Sequence, residues 1–219
     1  MPYQHIIFVE GPDDQHAIFH LLKRHNVSAC LFDAEEDELV TRTIAVKSLG
    51  GYTNLRKNLL SEFNSSELLQ AGIVVDANTF PSRRWQSLRD LLRQGGAQGI
   101  PDSLNQQGWV GTVRLPTGAI RTGAWILPNN RNRGALEEFA RMLIPTEDDL
   151  WAYAETCING LPEKRFKNKD AGKALVHTWL AWQKEPGKPV GQAITKGFLN
   201  PQAPAAQTFV AWVQRLFGM

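Results

Sequence analysis

His5-Ile6-Ile7-Phe8-Val9-Glu10-Gly11-Pro12-Asp13-Asp14 lies near the beginning of the 219-residue chain, and its reading decides the fold. Ile6 to Val9 is an apolar, β-prone run with no polar alternation, as expected of a strand buried on both faces of a parallel sheet. Gly11-Pro12 breaks that run. Pro12 suits a first helical position, Asp13 and Asp14 then fall in the first turn, and Ala17, Ile18, Leu21 and Leu22 recur at helical spacing. The order is strand, tight turn, helix, with Glu10 at the carboxyl end of the strand.

The same grammar continues downstream. Residues 28–32 and 43–46 are candidate strands, Gly50-Gly51 marks a turn, and Tyr52–Phe63 has a helical stripe in Leu55, Leu59, Leu60 and Phe63. Ala71-Gly72-Ile73-Val74-Val75 is a second buried-strand run, and it ends on Asp76. Trp85, Leu88, Leu91 and Leu92 predict a helix. Trp109–Leu115 and residues 119–127, joined by Pro116-Thr117-Gly118, predict a hairpin. Strands alternating with helices predict a Rossmann-like α/β fold, a mostly parallel sheet with one antiparallel edge and helices on its flanks. After Pro128 the pattern is helical, over residues 135–143, 148–158, 171–183 and 205–217. The division expected is an α/β domain over residues 1–144 and a helical C-terminal portion over 145–219, packed on it.

Composition narrows the function classes. The chain is 42% hydrophobic and 21% charged, ordinary for a globular protein. No apolar run approaches the roughly 20 residues that span a membrane, and Met1-Pro2-Tyr3-Gln4 lacks the character of a signal peptide. Cys30 and Cys157 are too few for a disulfide framework or a thiolate metal site. A cytoplasmic location is expected. The net charge of +2 points to no partner by itself, so nucleic-acid binding would have to come from local charge. One basic cluster stands out: Lys164, Arg165, Lys167, Lys169 and Lys173.

Chemistry concentrates in three acidic segments. Glu10 and Asp76 each stand directly after a buried strand, a poor position for packing but the edge where open α/β sheets place ligands. Two carboxylates held together repel unless a cation lies between them, and Mg²⁺ favours one or two carboxylates plus substrate phosphate. The third segment, Asn129-Asn130 followed by Gly134-Ala135-Leu136-Glu137-Glu138, offers a further carboxylate at a helix start, where first-turn acids are also common for the helix dipole alone. Asp13 and Asp14 carry the same double reading.

Val9-Glu10-Gly11-Pro12-Asp13-Asp14 and Val75-Asp76-Ala77-Asn78 together resemble the TOPRIM domain of topoisomerases, primases and small ribonucleases. The acid four positions after Glu10 resembles the form found in overcoming-lysogenization-defect (OLD) nucleases, and the wider pattern resembles the uncharacterised DUF3226 group. The resemblance implies Mg²⁺- or Mn²⁺-dependent phosphodiester chemistry on nucleic acid, most simply cleavage. Glu10 would bind metal or act as general base, Asp76 would be the main metal ligand, and Asp14, Asn78 and Glu137 would complete the shell. A lysine on the scissile phosphate, Lys169 or Lys173, is implied by the OLD form; Arg131 and Arg133 would add phosphate contacts. The family's second motif is usually Asp-x-Asp. Asn78 departs from it, offering a neutral oxygen in place of a charge. Many TOPRIM nucleases work beside an ATPase. Gly50-Gly51 is not followed by Lys-Ser or Lys-Thr, so such a partner would be a separate chain. The alternative expectation is a non-catalytic TOPRIM-like module that binds nucleic acid, nucleotide or a protein. Oligomeric state is not encoded in any motif.

Two other features are read as structural. His16 and His20 share a helix face but lack a third ligand and the glutamate of a metalloprotease motif. Trp179, Trp182 and Trp212 sit at helical spacing, which favours core packing over base stacking.

Overall fold

The computed structural model describes residues 3–32, 42–65, 67–116 and 118–219. Met1, Pro2 and Thr117, which enter the readings of the N-terminus and the hairpin turn, lie outside them. Strand β1 (His5–Val9) leads into α1 (Pro12–Arg24), followed by β2 (Ala29–Leu31), β3 (Ile44–Ser48), α2 (Tyr52–Phe63), β4 (Gln70–Asp76), α3 (Pro81–Gln94), β5 (Trp109–Leu115) and β6 (Gly118–Leu127). Five more helices follow: α4 (Leu136–Arg141), α5 (Asp149–Asn159), α6 (Ala171–Ala181), α7 (Val190–Lys196) and α8 (Pro204–Phe217).

The six strands form one sheet in the order β2-β3-β1-β4-β6-β5. All neighbours are parallel except β5 and β6, which form the expected antiparallel edge. This is a Rossmann-like α/β architecture. Because side chains alternate along a strand, Ile6 and Phe8 point to one face, and Ile7 and Val9 to the other. The first face packs on α2 and α3 through Leu55, Leu59, Phe63, Trp85, Leu88 and Leu92. The second packs on α1 and on helices α4 to α8, through residues such as Leu21, Phe139, Trp179, Ile194 and Phe209. Both faces are covered, which explains why the parallel strands are uninterrupted apolar runs.

The C-terminal helix meets the sheet at a flat spot. Gly72 and Gly123 are cross-strand partners on β4 and β6. A Cβ at Gly72 would come within 3.1–3.3 Å of Ile7, Leu216 and Trp212, and one at Gly123 within 2.9–3.2 Å of Leu216 and Trp212. The paired glycines let α8 approach closely, and the Trp212 indole N–H donates to the Trp109 carbonyl at 3.0 Å.

Two expectations need correction. Trp179 and Trp212 are core residues, but Trp182 is 37% exposed and lies tilted at 45° against the exposed Tyr153 ring. The short helix α7 was not anticipated; its seven residues, one of them Gly191, carry too little periodic signal. Among the described residues no helix is long and apolar enough to cross a membrane.

Trp212→Ala is expected to cost about 3–5 kcal/mol of unfolding free energy, and Gly123→Ala about 1–3 kcal/mol through overpacking against Leu216. Urea denaturation followed by circular dichroism measures both.

Candidate functional site

Parallel pairing of β1 with β4 sets Val9 opposite Val74, so both strands release their chains at the same sheet edge. Glu10 leaves β1 there and Asp76 ends β4. They are joined directly: the Asp76 backbone N–H donates to Glu10 Oε1 at 2.9 Å. The Asp14 carboxylate lies one turn into α1, where it accepts the Gly11 N–H at 2.9 Å and is only 8% exposed. It therefore serves the helix start and the site together.

Glu137 arrives by a second route. Beyond β4 and β6, the backbones of Asn78 and Gly134 exchange two hydrogen bonds of 2.7 Å. That clasp sets the start of α4 beside the end of β4. Glu137 is near enough for its charge to act on both Asp14 and Asp76. Its neighbour Glu138 is committed elsewhere, accepting the Ala135 N–H at 2.8 Å as a helix cap.

Burial makes this cluster unfavourable as anions. Desolvation, with the charges of Asp14, Glu10 and Glu137, pushes Asp76 up to about 8. Burial pushes Asp14 up to about 7, against the opposing Gly11 hydrogen bond, and the charges of Glu10, Glu137 and Asp13 add to it. Glu10 is also raised by burial, in opposition to the Asp76 N–H and to Arg84. Asp76 Oδ1 is buried with no hydrogen-bond partner among the described residues.

Arg84 is the residue that sequence reasoning missed. It stands in the first turn of α3, with Nη1 4.0 Å from Glu10 Oε1, and its guanidinium lies 3.4 Å from the centre of the Tyr52 ring. Tyr52 is held there by Gly50-Gly51, both at positive φ (72° and 103°), where the Gly51 N–H donates to the Glu10 carbonyl at 2.6 Å. The double glycine thus ties α2 to the end of β1. Nothing in its spacing set Arg84 apart from Arg83, Arg89 or Arg93 on the same helix.

The remaining candidates divide. Lys173 reaches the edge, with Nζ 3.6 Å from Glu137 Oε1. Lys169, in a short 3₁₀ turn before α6, is exposed, as are Arg131 and Arg133. Asn78 is exposed with φ at 51°, and its backbone makes the clasp to Gly134. Asn129 accepts from the N–H groups of Arg131 and Asn132, shaping that loop, while Asn130 Oδ1 accepts the Ile126 N–H at 2.7 Å. His20 Nδ1 pairs with Thr195 Oγ1 at 2.8 Å, a contact between α1 and α7.

Among the described residues, no three His, Cys, Asp or Glu side chains lie close enough to enclose a metal unaided. The donors at the sheet edge are carboxylate oxygens, the donor type that Mg²⁺ and Mn²⁺ take in small number together with water and phosphate. An orphaned buried carboxylate oxygen and mutually repelling acids fit a cation there.

The geometry defines an α/β protein with an acidic site at the carboxyl edge of a mostly parallel sheet. The chain belongs to the family described as Protein of unknown function (DUF3226), whose model matches residues 4–218. No curated protein and no solved structure matches it.

The raised acids carry a stability signature. Asp14 and Asp76 have ordinary values near 3.8, so they lose their protons in the unfolded chain before they do so in the folded one. The folded state binds more protons in between, and its stability falls as pH rises from about 4 to about 8. Asp76→Asn is therefore expected to raise the melting temperature at pH 8 without metal, with little change at pH 4. Thermal melts across this range in EDTA check it; equal slopes for wild type and variant would contradict it.

Proposed function

We propose that this is a TOPRIM-like, metal-dependent phosphodiesterase acting on nucleic acid, akin to OLD-type nucleases. The observation that carries the reading is the buried carboxylate group of Glu10, Asp76, Asp14 and Glu137 at one sheet edge, with Arg84 beside it. Asp76 and Asp14, raised by burial and by neighbouring carboxylates, and Glu10, raised by burial, are costly to keep for stability, and a divalent cation offsets that cost.

Asp76 would be the main ligand of the cation, helped by one neighbouring carboxylate from Asp14, Glu137 or Glu10, with water and substrate phosphate completing the shell. When bound, Mg²⁺ or Mn²⁺ supplies Lewis-acid polarisation of a phosphate oxygen. Glu10 is fixed through Oε1 by the Asp76 N–H, which leaves Oε2 to take a proton from the attacking water. Water oxygen bonds to phosphorus, the bond to the leaving oxygen breaks, and that oxygen takes a proton from solvent. The products are a phosphomonoester end and a hydroxyl end. Arg84, stacked on Tyr52, presents a fixed cation to the charge that develops on phosphate. Lys173 is the second cation at this edge, and Lys169, Arg131 and Arg133 supply outer phosphate contacts. An ATPase partner would be a separate chain.

One feature favours a second reading, a non-catalytic TOPRIM-like binding module. Asn78 brings no charge where a second metal would need one, so a single cation, bound weakly, is expected.

The test joins calorimetric Mn²⁺ titration to cleavage assays on single- and double-stranded DNA and RNA. Wild type is expected to bind one Mn²⁺ and to cleave better in Mn²⁺ than in Mg²⁺. Asp76→Ala should abolish binding and cleavage, Arg84→Ala should slow cleavage by about 100-fold with metal binding retained, and Asn78→Asp should tighten Mn²⁺. Absence of metal binding and cleavage in both wild type and Asn78→Asp would transfer the assignment to the binding module.

A further inference from the structure

A groove of about 280 Å³ runs between α2 and α3, lined by Arg56, Arg83, Gln86, Ser87 and Asp90 among others. Its lining includes Arg83, the chain neighbour of Arg84, which reaches Glu10 at the acidic edge. Arg83 and Arg84 are consecutive in the first turn of α3, so their side chains leave the helix about 100° apart. Arg84 turns inward to Glu10, while Arg83 turns outward to the groove. Neither Arg56 nor Arg83 has a carboxylate partner among the described residues, whereas Asp90 has Arg89 and Arg93 at 3.8 and 4.0 Å. The free charge in the groove is positive.

Phe80 stands beside Arg83, one of the groove's lining residues. It precedes α3 and is four residues beyond Asp76, within about 14 Å of it along the chain. The residue is 52% exposed, although an aromatic side chain would be worth more inside the core. The Arg83 guanidinium lies 4.5 Å from the ring centre. An exposed aromatic face, an adjoining guanidinium and a second free arginine along a groove match a nucleotide chain: base on ring, phosphates on arginines.

We infer that the α2–α3 groove binds single-stranded nucleic acid, with an unstacked base on Phe80 and the backbone following Arg83 and Arg56 away from the acidic edge. This rests on the nuclease reading for the role of the edge, and it adds the substrate class and the path of the strand. Paired bases in a duplex present no free face to the ring, so a blunt duplex binds more weakly than a single strand.

The probe is a fluorescein-labelled oligothymidylate of about 12 nucleotides, titrated in EDTA and read by anisotropy at several salt concentrations. Phe80→Ala is expected to weaken binding about 5- to 100-fold with the salt slope unchanged, and Phe80→Trp to restore it. The double variant Arg56→Ala/Arg83→Ala should reduce the slope of log K against log salt by about 1.4, two phosphate contacts on a single strand. All three positions are on the surface, so folding is retained, which circular dichroism checks. Failure of wild type to bind the oligonucleotide overturns the inference, as does binding indifferent to Phe80 or tighter to duplex. Cleavage is scored separately through Asp76→Ala, which should bind the oligonucleotide normally in EDTA. Mn²⁺-dependent cleavage with unaltered binding in Phe80→Ala would remove the groove and keep the nuclease; oligonucleotide binding without metal binding or cleavage would do the reverse.

Discussion

The hydrogen bond from the Asp76 backbone to Glu10 Oε1 depends on β1 and β4 being parallel neighbours in a single register. A one-residue slip would turn every side chain of one strand to the opposite face and carry its terminal acid away from the edge. The apolar alternation on both faces therefore fixes the site as well as the core. Ile7 and Val9 must meet one helical layer, and Ile6 and Phe8 the other, before Glu10 and Asp76 can face each other. The Asn78–Gly134 clasp and the Gly50-Gly51 turn extend that order outward, bringing Glu137 and Tyr52 to the same edge through backbone contacts.

Much of the sheet was legible because parallel strands buried on both faces leave an unmistakable trace: Ile6 to Val9 and Ala71 to Val75 contain no polar residue that would admit solvent. Glu10 and Asp76 stood out for the same reason, as acids that packing could not explain. Asp14 was harder to read, since a first-turn acid needs no ligand, and the structure shows it capping Gly11 while buried in the site. Arg84 was not legible at all. Its significance comes from Tyr52, which is 32 positions away in sequence and joined to it only by the fold. Trp182 was misplaced because α6 ends at Ala181, so the helical spacing that buries Trp179 no longer governs the residue that caps the helix. The strand order was beyond sequence reading for a similar reason: the crossovers that set β1 between β3 and β4 depend on which faces pack, and periodicity does not report that.

The site also places two opposing demands on one set of residues. Asp76, Asp14 and Glu10 are buried deeply enough to resist ionisation, yet their proposed use requires charge. Arg84 moderates this without cancelling it, because its distance of 4.0 Å from Glu10 leaves it outside a short ion pair. A cation fixed by stacking on Tyr52 remains directed at the edge and stays available to a third party. A closer pair would have spent that charge internally.

The glycine patch under α8 has a consequence for how the chain reaches its native state. Trp212 closes over Gly72 and bonds to Trp109, partners separated from it by more than 100 positions, and α8 follows in sequence every strand it covers. During synthesis, one face of the sheet has its first helix, α1, long before it has its last. Contacts of such long sequence separation pay their loop-closure entropy late and slow the approach to the folded state. A nascent chain that has formed β1, β4 and β6 still presents Trp125 and its apolar neighbours to its surroundings, so the interval before α8 docks is when this protein most needs protection from self-association.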